Sequence, residues 1–408
     1  MRKAKIEYID NNPDMGIDYD WGLIKRTLKR LKVYPNHKIK DEEGNEVTDV
    51  WNPLHLPFGS AKFFVLMSLR SKGKTTNFLL LGLIMHELYG TVTQYIVQTE
   101  AQTMPKNTKG LYNIVNECGY ISKITGGRWH NIVLKARRWY YCNYDEDTGK
   151  IAEMSKDYVC IMSSIDKQES LKSNGLNEPK GDLIIYDEFV RKYYMPNEFV
   201  EFCQLFSTIR RIRKSPIIVM LSNTVDKNSP YFNELEIADY IYDLQAGDKN
   251  IFTSSGGTNV YVEIIDPKKS KQRVESDRLF FGFKNKMLGA ITGSTLWAET
   301  NYPHIPRDET AKTLSRVHYI SYNNKLVNLE IVKNSYGLCI YAHWATRTYD
   351  DSIIYKLGDI RSDHERYKIG FTTLDKKIWD LYKKNMFYYA TNDVGSFIAS
   401  YINQCKVY

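Results

Sequence analysis

The segment Phe63-Phe64-Val65-Leu66-Met67-Ser68-Leu69-Arg70-Ser71-Lys72-Gly73-Lys74-Thr75-Thr76 constrains this chain more than any other. Its unbroken apolar start reads as a strand buried on both faces, and Asn77-Phe78-Leu79-Leu80-Leu81 reads as the helix that follows. A strand, a short loop and a helix in that order turn backbone N–H groups at the helix start toward one point, where an anion is held. In such a cradle a lysine neutralises the outer phosphate oxygens and a hydroxyl ligates Mg²⁺. Lys74 and Thr75 stand at those two places. Ser68 stands where the usual pattern has its first glycine, which puts a left-handed turn at that point in question while leaving the cradle intact.

A Gly-Lys-Thr tripeptide on its own also fits an exposed basic turn, so its context matters. Leu183-Ile184-Ile185-Tyr186-Asp187-Glu188 is a second buried strand, closing in two carboxylates. In phosphate-loop enzymes such an aspartate holds Mg²⁺ through water and the adjacent glutamate orients the attacking water. The alternative is a strand running into a solvated acidic loop. Ser207 to Lys214 ends a predicted helix with Arg210, Arg211, Arg213 and Lys214. These cations either complement the negative helix terminus or reach a neighbouring subunit's triphosphate. Ile217-Ile218-Val219-Met220-Leu221 is another buried strand, closing in Ser222-Asn223. Asn223 is the candidate γ-phosphate sensor or coupling residue.

The chain has 408 residues, 43% of them hydrophobic and 25% charged, which fits two or three globular domains and excludes wholesale disorder. Its net charge of +8 permits an anionic partner without requiring one. The runs Phe63–Met67 and Phe78–Met85 are too short for a membrane span, and the first ten residues lack the apolar core of a signal peptide. Six scattered cysteines contain no CxxC pair, and the eight histidines form no HExxH, so free thiols without a zinc site are expected.

Strands are predicted at Phe63–Met67, Gln94–Val97, Val159–Met162, Leu183–Tyr186 and Ile217–Leu221. Helices are predicted at Thr76–Leu88, Lys109–Cys118 and Pro196–Ile209, giving a mostly parallel sheet covered on both faces. Asn131–Tyr141 and Lys156–Met162 flank the turn-rich Asp145–Gly149 and read as an inserted hairpin. Later, Val317–Tyr322, Leu326–Val332, Tyr336–Ala342 and Ile353–Leu357 read as antiparallel strands, followed by helices Leu374–Lys384 and Val394–Cys405. The expected division is an N-terminal extension over 1–60, an α/β phosphate-loop domain of the additional-strand class over 61–267, a connecting segment over 268–310 and a small α+β domain over 311–408.

Taken together, Tyr186-Asp187-Glu188-Phe189-Val190-Arg191, Met195-Pro196-Asn197-Glu198, Thr208 with Arg211 and Arg213, Leu221-Ser222-Asn223 and Pro230-Tyr231-Phe232 resemble the DNA-packaging ATPases of small Picovirinae-type podophages. Gln168 to Asn174, with Lys172, and Arg70 in the loop fit the same family. The resemblance implies a homomeric ring, a pentamer, that hydrolyses ATP with Mg²⁺ and drives double-stranded DNA through the portal of an empty capsid in the host cytoplasm. A structural packaging RNA is an implied further partner, and no membrane is involved. It implies that residues 68–76 bind ATP and that Thr75 and Asp187 serve the metal. Glu188 and Lys74 become catalytic, and Arg211 acts in trans, with Arg213 or Lys172 as further trans or DNA contacts. Family members carry an arginine pair in the strand after the first helix, where this chain has Tyr95-Ile96-Val97-Gln98-Thr99. The last domain resembles an RNase H-like nuclease fold that has lost its metal site, because Asp350, Asp351, Asp359, Asp363 and Glu365 lie in or beside predicted turns. Lys325, Lys333, Arg347 and Lys356 would give it a DNA-gripping surface instead. Two rivals are a helicase-like phosphate-loop ATPase of replication and a DNA-binding structural protein with a decayed nucleotide site.

Overall fold

The computed structural model describes residues 3–34, 50–68, 72–167, 181–190, 197–223, 228–241, 243–265, 310–335, 337–370 and 373–405, with a few short runs between them. Nine strands form the larger sheet: β1 (Phe63–Met67), β2 (Thr93–Val97), β3 (Asn131–Lys135), β4 (Arg138–Tyr144), β5 (Ile151–Ser164), β6 (Leu183–Asp187), β7 (Ile217–Ser222), β8 (Lys249–Thr253) and β9 (Asn259–Ile264). Their order across the sheet is β8-β9-β1-β7-β6-β2-β5-β4-β3. From β9 to β5 every pairing is parallel, and β8, β4 and β3 add antiparallel edges. The predicted strands are all present, and their continuous apolar runs match burial on both faces.

β7 lies between β1 and β6. This intercalated strand is the mark of the additional-strand class. Because the three strands are parallel, their carboxyl ends share one edge, so Ser68, Glu188 and Asn223 emerge side by side. Helix α2 (Lys74–Tyr89) covers one face and α3 (Glu198–Arg210) the other. α2 is apolar almost all round, as a helix wedged into a core must be. Gly82 lets it press onto β2, since a Cβ there would lie 2.1 Å from the Thr93 hydroxyl.

Two expectations for this part of the chain are corrected. The run 131–141 is two strands, because Ala136 and Arg137 both take positive φ (50° and 63°) and make a tight hairpin without the Asn-Gly signal. The span Lys109–Cys118 holds only the short helix Asn113–Glu117, preceded by another at Pro105–Thr108. The N-terminal segment packs on the core. Helix α1 (Trp21–Leu31), capped by Asp20 on the Leu23 N–H at 2.7 Å, buries Ile24 and Leu28 in the core beneath α2 and exposes Arg26, Lys29 and Arg30.

A second sheet contains β10 (Lys312–Tyr322), β11 (Lys325–Asn334), β12 (Gly337–Trp344), β13 (Ile353–Lys356), β14 (Glu365–Tyr367) and β15 (Phe387–Tyr389) in the order β14-β13-β10-β11-β12-β15. β10 to β12 are antiparallel as expected. β13 is not: it pairs parallel with β10, with His318 opposite Ile353. The chain reaches it by a crossing connection rather than a hairpin. Helices α4 (Thr373–Lys383) and α5 (Asn392–Cys405) complete this unit, and the stripe Val394, Phe397, Ile398, Tyr401 and Ile402 fills its core. Tyr302, inside the expected connecting segment, packs against Tyr389 of this core.

At the amino ends of β6 and β7 lies a buried ionic knot. Arg213 pairs with Asp182 at 2.6 Å, and the same carboxylate oxygen accepts from Tyr19 and Ser215, each at 2.7 Å. Burial pushes the Asp182 carboxyl up, against Arg213 and the two hydroxyl donors. The knot ties the N-terminal segment to the sheet, and its importance lies in the cost of breaking it. Asp182→Ala strands the Arg213 guanidinium and is expected to lower the unfolding free energy by about 3–5 kcal/mol, read from urea denaturation. The double variant Asp182→Ala/Arg213→Met is expected to recover most of that loss.

Candidate nucleotide site

The loop between β1 and α2 is anchored on both sides. The Ser68 N–H donates to the Ser222 carbonyl at 3.2 Å, joining β1 to β7, and Ser68 is fully buried. Ser68 does not take a positive φ; the left-handed residue among the described part of the loop is Gly73, at φ 77°. A Cβ on Gly73 would lie 2.8 Å from Val50, so glycine is required there for both backbone and space. Trp51 donates its N–H to the Lys72 carbonyl at 3.0 Å, and the Asn77 side chain donates to the Trp51 carbonyl. The N-terminal segment thus clamps the loop from outside.

Lys74 opens α2 and is 4% exposed. Its Nζ donates to the Ser68 hydroxyl and, at 3.0 Å, to Asn223 Oδ1. Burial lowers the Lys74 ammonium to about 8; Asp187 and Glu188 pull it up and Lys72 adds to the lowering. One position on, Thr75 donates its hydroxyl proton to Asp187 Oδ2 at 3.0 Å. The two sequence motifs therefore meet, and Asn223 joins them through Lys74.

Glu188 is exposed and sits at φ 54°, an uncommon conformation for a residue with a side chain. Three hydrogen bonds hold the turn. The Glu188 N–H donates to Asp187 Oδ1 at 3.0 Å, the Gln98 side chain donates to the Glu188 carbonyl, and the Phe189 N–H donates to the Leu221 carbonyl at 3.1 Å. Tyr95 on β2 donates its phenol to Asp187 Oδ2, and burial beside that carboxylate pushes the phenol well up, so it keeps its proton. A cavity of about 300 Å³ opens beside the carboxylates, lined by Tyr95, Val97, Leu111, Met162, Asp187 and Glu188 among others.

Sequence reasoning did not find Tyr95 and Gln98. Both lie in the uncharged stretch at the end of β2, and only the strand order, with β2 beside β6, puts them against the carboxylate pair. The only available signal was two polar groups at the carboxyl end of an apolar strand.

The remaining candidates fall elsewhere. Arg211 follows α3 as an exposed residue at the amino end of β7, the end of the strand opposite Asn223. Arg213 is withdrawn as a trans or DNA contact, because its guanidinium is committed to the buried Asp182 knot. Leu69, Arg70, Ser71 and Lys172 lie outside the described residues. In the second unit Asp350, Asp351 and Asp363 are exposed in turns, Asp359 is exposed in the irregular stretch after β13, and Glu365 pairs with Lys356 at 3.0 Å. Among the described residues no three His, Cys, Asp or Glu side chains group as a metal site, and no helix is long and apolar enough to cross a membrane.

The donor set beside Thr75 suits Mg²⁺. Thr75 spends its proton on Asp187 and keeps its oxygen lone pairs, Asp187 contributes one carboxylate, and the ion characteristically takes its other ligands from water and phosphate.

The strand order, the loop at the end of β1, the carboxylates at the end of β6 and the appended second sheet define an α/β fold of the additional-strand phosphate-loop ATPase type. More particularly, it is the fold of phage DNA-packaging motors. The chain superposes on the Phi-28 gp11 DNA packaging motor with a TM-score of 0.52, at 18% identity, over 88% of this chain and 98% of that one. It matches the bacteriophage Phi-29 viral genome packaging motor assembly at the same TM-score and identity, over 88% of this chain and 100% of that one. No protein-family model and no curated protein matches the sequence.

Proposed function

We propose that this protein is an ATP-driven motor that moves double-stranded viral DNA into a preformed capsid through its portal. The carrying observation is the linked set Lys74, Thr75, Asp187 and Asn223, drawn together at the carboxyl edge of an additional-strand sheet. Residues 68–76 would cradle the triphosphate against the start of α2. Thr75 and, through water, Asp187 would hold Mg²⁺, which when bound would supply charge neutralisation to the triphosphate. Lys74, released from Ser68 and Asn223, would turn to the triphosphate oxygens. Its buried ammonium needs a counter-charge, and the triphosphate provides one. Asn223, freed in exchange, would register whether the γ-phosphate is present. Glu188, presented by its strained turn, would orient the attacking water.

In this reading the protomers form a ring, a pentamer, at the portal vertex in the host cytoplasm, with a packaging RNA as a further partner. Arg211 stands at the end of β7 opposite its own phosphate loop, and a head-to-tail ring would bring it to the next subunit's ATP. The second sheet would grip DNA through its backbone, without nuclease chemistry, because its acidic residues are dispersed.

The test of the whole reading is ATP hydrolysis with blunt duplex, with single-stranded DNA and without DNA. Stimulation by duplex is expected. Single-strand stimulation would favour a helicase, and the absence of turnover a decayed site. Glu188→Gln is expected to bind ATP as tightly as the parent and to lose turnover.

A pH effect follows from Lys74. Bound triphosphate raises the pKa of the ammonium above the value near 8 in the free protein, so binding is favoured below that pH and weakens as pH rises through it. Equilibrium binding of ATP without Mg²⁺ is expected to fall by up to about tenfold per unit as pH rises above 8, where the triphosphate is already fully ionised.

Arg211 is tested by mixing. Arg211→Ala and Glu188→Gln protomers are each expected to be inactive, since an arginine supplied in trans adds about 10³–10⁵ in rate. Mixed rings in which an intact Glu188 site faces an intact Arg211 are expected to recover measurable hydrolysis. A normally active Arg211→Ala protein would remove Arg211 from the mechanism.

A further inference from the structure

Asp187 has four lone pairs to offer, two on each oxygen. Oδ2 is taken twice, by the Thr75 hydroxyl at 3.0 Å and by the Tyr95 phenol. Oδ1 is taken once, by the Glu188 N–H at 3.0 Å. Among the described residues one lone pair, on Oδ1, remains open. Thr75 and Glu188 belong to the two motifs themselves, but Tyr95 comes from β2, which β7 and β6 separate from β1, and has no part in the cradle. It belongs to the core on the face that α2 covers, together with Val97 of its own strand and Leu183 and Ile185 of β6.

We infer that Tyr95 is a positioning residue for the metal: its phenol fixes the rotation of the Asp187 carboxylate, so that the one lone pair left open would be the one offered toward a bound Mg²⁺. The inference rests on the ATP-site reading above and extends it to a residue that touches neither nucleotide nor ion. The bond is directional and charge-assisted, with the phenol as donor and the carboxylate as acceptor. Without it, Oδ2 regains an open lone pair and the carboxylate can turn. The adjacent cavity gives a turned carboxylate room and admits water to it. The cost should appear where the carboxylate meets the ion, not where the loop meets the triphosphate.

Tyr95→Phe keeps the ring and deletes the hydroxyl. Binding of ATP to the full chain, measured by calorimetry in EDTA and across a Mg²⁺ titration, separates the two contributions. The expected result is ATP affinity in EDTA unchanged within about twofold, and a roughly tenfold rise in the Mg²⁺ concentration that gives half the metal-dependent gain. In hydrolysis, kcat should fall at limiting Mg²⁺ and recover at high Mg²⁺, with KM for ATP little altered. An unmoved Mg²⁺ requirement in a folded variant overturns the inference, and so does an equal loss of affinity in EDTA, which marks a merely structural role. If the variant does not fold, 3-fluorotyrosine at position 95 of the otherwise unaltered chain serves instead. Its ¹⁹F resonance should shift when Mg²⁺ is added to the ATP-bound protein, and a resonance blind to Mg²⁺ overturns the inference equally. Should the parental chain bind no ATP in either buffer, the ATP-site reading itself fails, a result distinct from both.

Discussion

A single ammonium group, Lys74, is the hinge of this structure. It is almost wholly buried, and a buried charge is tolerated only where fixed dipoles or counter-charges surround it. Ser68 from the end of β1 and Asn223 from the end of β7 supply the dipoles, while Asp187 and Glu188 from the end of β6 supply the counter-charge. Those groups reach Lys74 only because three parallel strands end at one edge with β7 in the middle. The parallel pairing in turn demands helices on both faces, and α2, which carries Lys74, is one of them. Fold and site are therefore two descriptions of the same constraint.

What could be read from the sequence divides along a physical line. Strands such as Phe63–Met67 and Ile217–Leu221 announce themselves, because burial on both faces leaves no room for a polar residue. Asp187-Glu188 and Gly-Lys-Thr stand out because charge at the end of an apolar run is costly without a purpose. Tyr95 was hidden, since a tyrosine within a buried strand reads as core and its hydroxyl partner lies on a different strand. Arg213 misled for the opposite reason. A basic residue in a basic run looks solvated, but its counter-ion, Asp182, precedes a distant strand, and nothing local reveals the pair. The turn at Ala136-Arg137 lacks turn chemistry, so the hairpin is imposed by the strands it joins. Parallel pairing of β13 likewise depends on a crossing that no alternation pattern encodes.

Glu188 shows how rigidity and strain combine. A left-handed backbone at a residue with a side chain costs about 1–2 kcal/mol, and surrounding bonds must hold it. Three do so here, and they come from three strands: Asp187 itself on β6, Gln98 after β2 and Leu221 on β7. The turn cannot relax unless the strands separate. Glu188 is consequently held in place on an edge where the rest of its surroundings are open to solvent.

The larger and smaller sheets meet in a very different kind of contact. The Asn323 side chain, at the tip of the β10–β11 hairpin, donates to the Asn228 carbonyl at 3.3 Å and accepts from the Asn233 side chain. Amide hydrogen bonds of this sort contribute little net free energy, because water replaces them readily. They do impose direction, so they specify where the hairpin sits without fixing it there irreversibly. Asn228 and Asn233 lie after β7 in the chain, as does Asn223, the residue bonded to Lys74. The Lys74 site, with its buried charge held by dipoles and counter-charges from three strand ends, is therefore stiff, whereas the contact at Asn323 is one that water can exchange.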